Sequence, residues 1–378
     1  MARKIVLAFD SFKGSLSSME AAEAAREAIA AIYPECIVET VTIADGGEGT
    51  AGVIAGCIGE EASRIDCLVA NPLSQPVEAS YFIAGDTAII EMAAASGLTL
   101  IASHERNPML TTTLGTGQLI ADALDRGCRN FLLGIGGSAT NDAAMGALSA
   151  LGFRFIDAGG SVLEPIGKNL AEVASIDRSH IDARLEKCRF TVACDVNSPF
   201  FGKDGAAHVF APQKGADPAC VEMLDFGLRN FANVLLRTTG IDIATVRGAG
   251  AAGGMGGTMM ALLGASLRQG IEIVLDLVHF DSKIADADLI ITGEGAIDSQ
   301  SGMGKVLTGI VGRARRLNIP VVALAGSVSD VRRLNECGLR AVFCIQSRPI
   351  SLAEAMLPHT ARHGIAETTS QILRLLDY

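Results

Sequence analysis

The sequence predicts an α/β fold in two α/β domains. A parallel-sheet domain is built from both chain ends, residues 1–66 and 286–378, and a second α/β domain, residues 67–285, is inserted between them. Three observations predict this. Short apolar runs of strand length alternate with amphipathic helical stretches near both termini, the rhythm of strand–helix–strand units around a parallel sheet. The residues in between carry more Gly-rich turns and a less regular order of elements. The 378 residues of the chain exceed one ordinary core and suit two domains of unequal size.

The first strand is the apolar run Lys4–Phe9. Ser17 and Glu20 have the S-x-x-E spacing of a capping box, opening a helix expected to stop before Pro34. Within it Met19, Ala22, Ala25, Ile29 and Ile32 recur every three or four residues and are expected on the core face. Residues 36–44 read as a second strand and 50–57 as a second helix. In the C-terminal third, 289–292, 321–325 and 341–345 read as strands, separated by helices around 305–317 and 331–337. The two ends can therefore share one sheet. Residues 71–75 (NPLSQ) read as a connector.

Composition narrows the function. A net charge of -11 opposes binding to nucleic acid or to an anionic membrane surface, because such affinity needs clustered Lys and Arg. The mean hydropathy is high, +0.35, but no uninterrupted apolar stretch of about 18 residues occurs, so neither a membrane span nor a signal peptide is expected. The nine cysteines are scattered through apolar runs without a C-x-x-C pair, the pattern of reduced, buried thiols in a cytoplasmic protein.

The chemistry collects at strand ends, where open parallel sheets gather their ligands. After the first strand come Asp10, Ser11, Phe12, Lys13, Gly14 and Ser15. They set a carboxylate, hydroxyls and an ammonium before a helix start, a place for an anion or, more plainly, a shaped turn. After the second come Asp45, Gly46, Gly47, Glu48, Gly49 and Thr50, two carboxylates that could converge on a cation or cap a helix. The run ending at Ile135 leads into Gly136, Gly137, Ser138, Ala139, Thr140, Asn141 and Asp142, whose backbone amides could hold phosphate. A strand-like alternation over 188–194 ends in Asp195 and Asn197, Asp195 being a candidate base or metal ligand. Last come Gly293, Glu294, Gly295, Asp298 and, at a helix start, Lys305. Each site alone has a bland reading; the repetition favours function.

Other motifs fail their context. G-x-x-x-x-G-K-[ST] is absent, since Gly304-Lys305 precedes Val306. Asp225-Phe226-Gly227 has no companion protein-kinase motif and falls in a helical stretch. Residues 248–253 match G-x-G-x-x-G but follow no good strand, which favours close backbone packing or another ligand contact over a dinucleotide. His359 and His363 lack the Glu of a zinc helix, and no structural zinc is expected.

The strings DSFKGSLS (10–17), ADGGEGT (44–50), EMAAASGL (91–98), GIGGSATND (134–142), ACDVNSP (193–199), PQKGA (212–216), GAGAAGGMG (248–256), GIEIVL (270–275) and ITGEGAIDSQSGMGK (291–305), in this order, resemble bacterial type I glycerate kinases along nearly the whole chain. The resemblance implies a Rossmann-like domain and an inserted α/β domain with the active site in the cleft between them. It also implies ATP-dependent, magnesium-assisted phosphorylation of D-glycerate, usually to 2-phosphoglycerate.

Three departures stand out. Ala296 replaces an Arg common in relatives, Leu307 a Pro, and Ala143-Ala144 glycines. The missing Arg means that Lys13 or Lys305 supplies its charge, or that a related hydroxy acid is the substrate.

The resulting expectation names Asp195, Lys13 and Asp45 as catalytic, with Asp195 accepting the hydroxyl proton. Asp10, Ser15, Gly136, Gly137, Ser138, Thr140, Asn141, Asn197, Gly293, Gly295 and Lys305 bind substrate or phosphate. Asp45, Glu48, Glu294 and Asp298 orient Mg2+. Alternatives are formation of 3-phosphoglycerate, an NAD-dependent dehydrogenase using 248–253, and a non-catalytic organic-acid binder. A homodimer is left open.

Overall fold

The computed structural model describes residues 3–43, 54, 62–297 and 305–376. In chain order the strands are β1 (Lys4–Phe9), β2 (Ile37–Thr40), β3 (Ala62–Ala70), β4 (Pro76–Ala84), β5 (Thr87–Glu91), β6 (Asn130–Gly134), β7 (Arg154–Ile156), β8 (Ser175–Asp177), β9 (Arg189–Ala193), β10 (Ser266–Arg268), β11 (Leu289–Ile297), β12 (Val321–Val328) and β13 (Ala341–Cys344). The chain forms two compact units, residues 1–45 with 271–378 and residues 46–270.

In the first unit both chain ends enter one sheet, ordered β13-β12-β11-β1-β2 and parallel throughout. Such a sheet is covered on both faces, which is why β1 is apolar without alternation. The helix Ser18–Ile32 begins with the capping box: the Glu20 amide donates to Ser17 Oγ, and the Ser17 amide donates to Glu20 Oε2 at 2.8 Å. It stops at Ile32, ahead of Pro34. Ala22, Ala25 and Ile29 are buried, but Met19 is 56% exposed. The expected core stripe thus starts one turn later, at Ala21 and Ala22.

The second unit has a six-stranded sheet, β10-β9-β6-β5-β4-β3. Neighbours from β10 to β5 run parallel, whereas β5, β4 and β3 are antiparallel. Phe131 of β6 stacks on Phe190 of β9 with ring centroids 4.8 Å apart. Residues 71–75 form the tight β3–β4 turn, where Asn71 Oδ1 accepts from the amides of Leu73 and Gln75, each at 2.9 Å.

The units divide at 45/46 and 270/271, where the sequence reading set 66/67 and 285/286. Two contacts account for the difference. The whole of β3 is zipped to β4 within the second unit. The segments Gly270–Leu277 and Phe280–Ile284 are tied to the first unit by the buried Arg313, which bonds Glu272, Asp276 and Asp281. Of the expected helix over 50–57 only residue 54 is described, and it is helical. No described helix is long and apolar enough to cross a membrane.

Candidate active site

In the first unit, the carboxyl ends of β1, β11, β12 and β13 border a cavity of about 420 Å³. Its polar wall comprises Ser11, Lys13, Ser15, Glu294, Ser327 and Gln346, and its apolar wall includes Ile345, Leu352 and Met356. Lys13 stands on a closed turn: the Phe12 amide donates to the Leu16 carbonyl at 2.9 Å and the Leu16 amide returns to Phe12 O at 3.0 Å. Both anchors, Phe12 and Leu16, are buried, so the turn is fixed while the lysine itself is exposed. Gly14 completes it at φ +77°, a left-handed conformation that glycine adopts without steric cost.

Asp10 continues the ladder from β1 through its amide to Gly293 O, 2.9 Å, and its carboxylate accepts from the Ser11 amide at 2.6 Å. Gly293 sits inside the sheet, where a Cβ would fall 2.2 Å from the carbonyl oxygen of Leu324. Its role in the fold is close strand approach, whereas Gly295 lines the cavity. Ser15 Oγ and Gln346 Nε2 are buried without a hydrogen-bond partner. Lys305 begins the helix Lys305–Arg316 in this unit but does not line the cavity. Of the residues expected to orient magnesium only Glu294 is described; Asp45, Glu48 and Asp298 lie outside the described residues. Among the described residues no three His, Cys, Asp or Glu side chains form a cluster able to hold a metal.

In the second unit the loop after β6 carries Gly136, Gly137, Ser138, Thr140 and Asn141. Gly137, at φ +69°, turns its carbonyl to the Leu98 amide at 2.9 Å, and the Ala139 amide donates to Ser96 O at 2.9 Å. At Gly136 nothing lies within 4 Å of where a Cβ would be, so the loop has open space beside it. The adjacent parallel strand β9 leads into Asp195 and Asn197. Asp195 Oδ1 accepts from the Gly270 amide at 3.0 Å, and Asn197 is exposed.

Beneath this loop lies a residue the site expectation lacked. Lys214 is 1% exposed, and its Nζ donates to Ser138 Oγ at 2.7 Å and to Thr140 O at 2.6 Å. Burial pushes its ammonium down to about 7, with the charge of Asp142 acting in the opposite direction. Asp142, fully buried, accepts three bonds through Oδ2, from the amide and hydroxyl of Thr113 and the amide of Gly146. Burial raises its pKa against those three donors. Thr140 Oγ1 and both amide atoms of Asn141 are buried without partners.

Ala143 and Ala144 adopt φ of 47° and 60°, conformations costing a non-glycine residue roughly 1–2 kcal/mol each. They are held because Ala143 N bonds Gly253 O at 3.0 Å. A Cβ on Gly253 would in turn meet Thr140 O at 2.3 Å. The Gly-rich stretch 248–256 therefore serves close packing against this loop, and turns rather than a strand precede it.

The signals for what was missed were present in part. Lys214 lies in the PQKGA string, and Gln346 follows β13 as the other site residues follow their strands, but without a nearby Asp or Gly to mark it.

The chain matches the model of the glycerate kinase family over residues 5–377. It is 47% identical to a glycerate kinase of Bacillus cereus over 356 residues, 93% of each chain. It is 45% identical to the glycerate 2-kinase of Escherichia coli K12 over 356 residues, again 93% of each. A crystal structure of a Salmonella typhimurium LT2 protein proposed to be glycerate kinase 2 superposes with a TM-score of 0.84 at 43% identity, covering 100% of this chain and 99% of that one.

Proposed function

The chain belongs to the glycerate kinase family, and on that premise we propose that it transfers the γ-phosphoryl group of ATP to D-glycerate, giving 2-phosphoglycerate and ADP. The observation that carries the site assignment is the cavity at the carboxyl ends of the parallel strands, which gathers Lys13, Ser15 and Glu294 on one wall. Phosphoryl transfer asks little covalent chemistry of a protein. It asks for an acceptor hydroxyl in line, phosphate charge neutralised and water excluded.

In this reading Lys13 neutralises phosphate charge, with Ser15 and the Gly295 amide beside it as hydrogen-bond donors. The apolar wall of Ile345, Leu352 and Met356 suits the flat face of a purine. Asp10, which braces the Lys13 turn, and Lys305, at a helix start, complete the charged surroundings. In the second unit, residues 136–141 and Asn197 bind anionic oxygens. Asp195, held by the Gly270 amide, accepts the proton of the attacking hydroxyl. Magnesium would be held on the Glu294 side of the cavity and would supply neutralisation of phosphate charge there. The single described carboxylate on the cavity, Glu294, fits an ion that keeps several waters and takes few protein ligands, with Asp45, Glu48 and Asp298 proposed to orient it directly or through those waters. A cytoplasmic location belongs to the same reading.

The test is ADP release from MgATP and D-glycerate, with the product identified by phosphorus NMR and EDTA and L-glycerate as controls. Magnesium-dependent 2-phosphoglycerate is expected. A 3-phosphate product would correct the regiochemistry, and turnover only with another hydroxy acid would correct the substrate, making Ala296 the first residue to revert to Arg.

A further inference from the structure

Lys214 is an uncommon object: a lysine 1% exposed with no carboxylate in direct contact. Lysines are almost never fully buried unless paired, because the interior disfavours an uncompensated charge. Its two acceptors, Ser138 Oγ and Thr140 O, are both neutral and both on the Gly136–Gly137 loop. The facing titratable group is Asp142, whose Oδ2 is committed to three donors of its own and whose Oδ1 is buried without a hydrogen-bond partner and makes no direct bond to Lys214. Thr140 and Asn141, each 0% exposed, also hold polar side-chain atoms without partners. A purely structural brace for this loop would need no cation. A loop that receives an anion would.

We propose that residues 136–140 form an oxyanion-binding loop whose counter-charge is the buried amine of Lys214, so that docking of a carboxylate or phosphate there is coupled to proton uptake by that amine. The loop supplies hydrogen-bond donors and open space beside Gly136, and Lys214 acts through Ser138 and Thr140 as a positioning residue and a buried positive charge. Burial by itself favours the neutral amine. An arriving oxyanion restores the charged form, and the proton comes from the buffer. The inference rests on the kinase reading only for the identity of the anion.

The test is calorimetric titration of the full chain at pH 8 with D-glycerate, inorganic phosphate and a non-hydrolysable ATP analogue separately, in two buffers of different ionisation enthalpy. At least one ligand is expected to bind with uptake of more than about half a proton, by linkage. Uptake on D-glycerate assigns the loop to a carboxylate; uptake on phosphate or the analogue assigns it to a phosphoryl group. In Lys214→Met the uptake disappears and that ligand binds at least about 10-fold more weakly, equivalent to about 1.4 kcal/mol. A folded Lys214→Met that binds all three ligands as the parent does overturns the proposal. If that variant does not fold, the parent protein decides, since binding without proton uptake for every ligand overturns it equally. Turnover of D-glycerate without uptake sinks this inference and leaves the kinase reading; uptake with no turnover of D-glycerate or of another hydroxy acid does the reverse.

Discussion

Oδ2 of Asp142 accepts hydrogen bonds from both the backbone amide and the hydroxyl of Thr113, each at 2.8 Å. The same oxygen takes the Gly146 amide at 3.1 Å, so one buried atom joins the end of the Gly136 loop to the start of the helix Leu114–Asp125. Asp142→Ala strands three buried donors and is expected to destabilise the protein by at least about 3 kcal/mol. Asp142→Asn retains an acceptor oxygen and is expected to cost about 1 kcal/mol. Denaturant unfolding of both variants checks this, and equal losses would refute the hydrogen-bond account.

The buried Lys214 predicts a stability that rises with pH. Its pKa falls from 10.5 to about 7 on folding, so between those values the unfolded chain binds more protons than the folded one. Stability therefore increases from pH 7 towards 10.5, with a slope of up to about 1.4 kcal/mol per pH unit from this group. Unfolding of the parent and of Lys214→Met at pH 7, 8 and 9 isolates it. The parent curve should climb more steeply, and parallel curves would contradict the burial argument.

Lys13→Ala and Asp195→Ala are each expected to lower turnover by roughly 10² or more, the loss typical of one preorganised electrostatic group. Lys13 is exposed on a turn anchored by Phe12 and Leu16, so its thermal melting should be unchanged. Steady-state kinetics with parallel melting curves decide, and unchanged turnover in a folded variant removes that residue from the site.

Arg313 is 8% exposed and bonds Glu272, Asp276 and Asp281 at 2.5, 2.7 and 2.9 Å. In Arg313→Met three carboxylates lose their common cation. Because those acids are partly solvated, the expected loss is nearer about 2 kcal/mol than the larger cost of breaking a fully buried pair. Their mutual repulsion is screened by salt, so the deficit should shrink on raising ionic strength. Melting temperatures at low and high salt test this; a salt-independent deficit would point to packing of the arginine stem instead.

Much of the architecture was legible because its signals are local. Ser17 and Glu20 form the capping box their spacing announces, and the apolar runs at both ends become strands of one sheet. Lys13, Ser15, Glu294 and Gly295 border one cavity because parallel strands deliver their carboxyl ends to the same edge. Met19 was misplaced because helical periodicity says which side chains share a face but not where along the helix the packing begins. Gln346 carried no distinguishing neighbour, and Lys214 stood in the PQKGA string with no role assigned to it.

The sequence by itself determined the α/β class, the strand-end glycines and acids, and the family to which the chain belongs, since capping, strand and helix periods, and ordered motifs are properties of short segments. Only the tertiary structure decided that Lys214 is buried beneath Ser138 and Thr140, that Asp142 is committed to Thr113, and that Ala143 and Ala144 bear the left-handed backbone. The reason is physical. Burial, a shifted proton affinity and a tolerated strain depend on what other parts of the chain cover, 29 residues away for Thr113 and 76 for Ser138, and no local pattern encodes the covering.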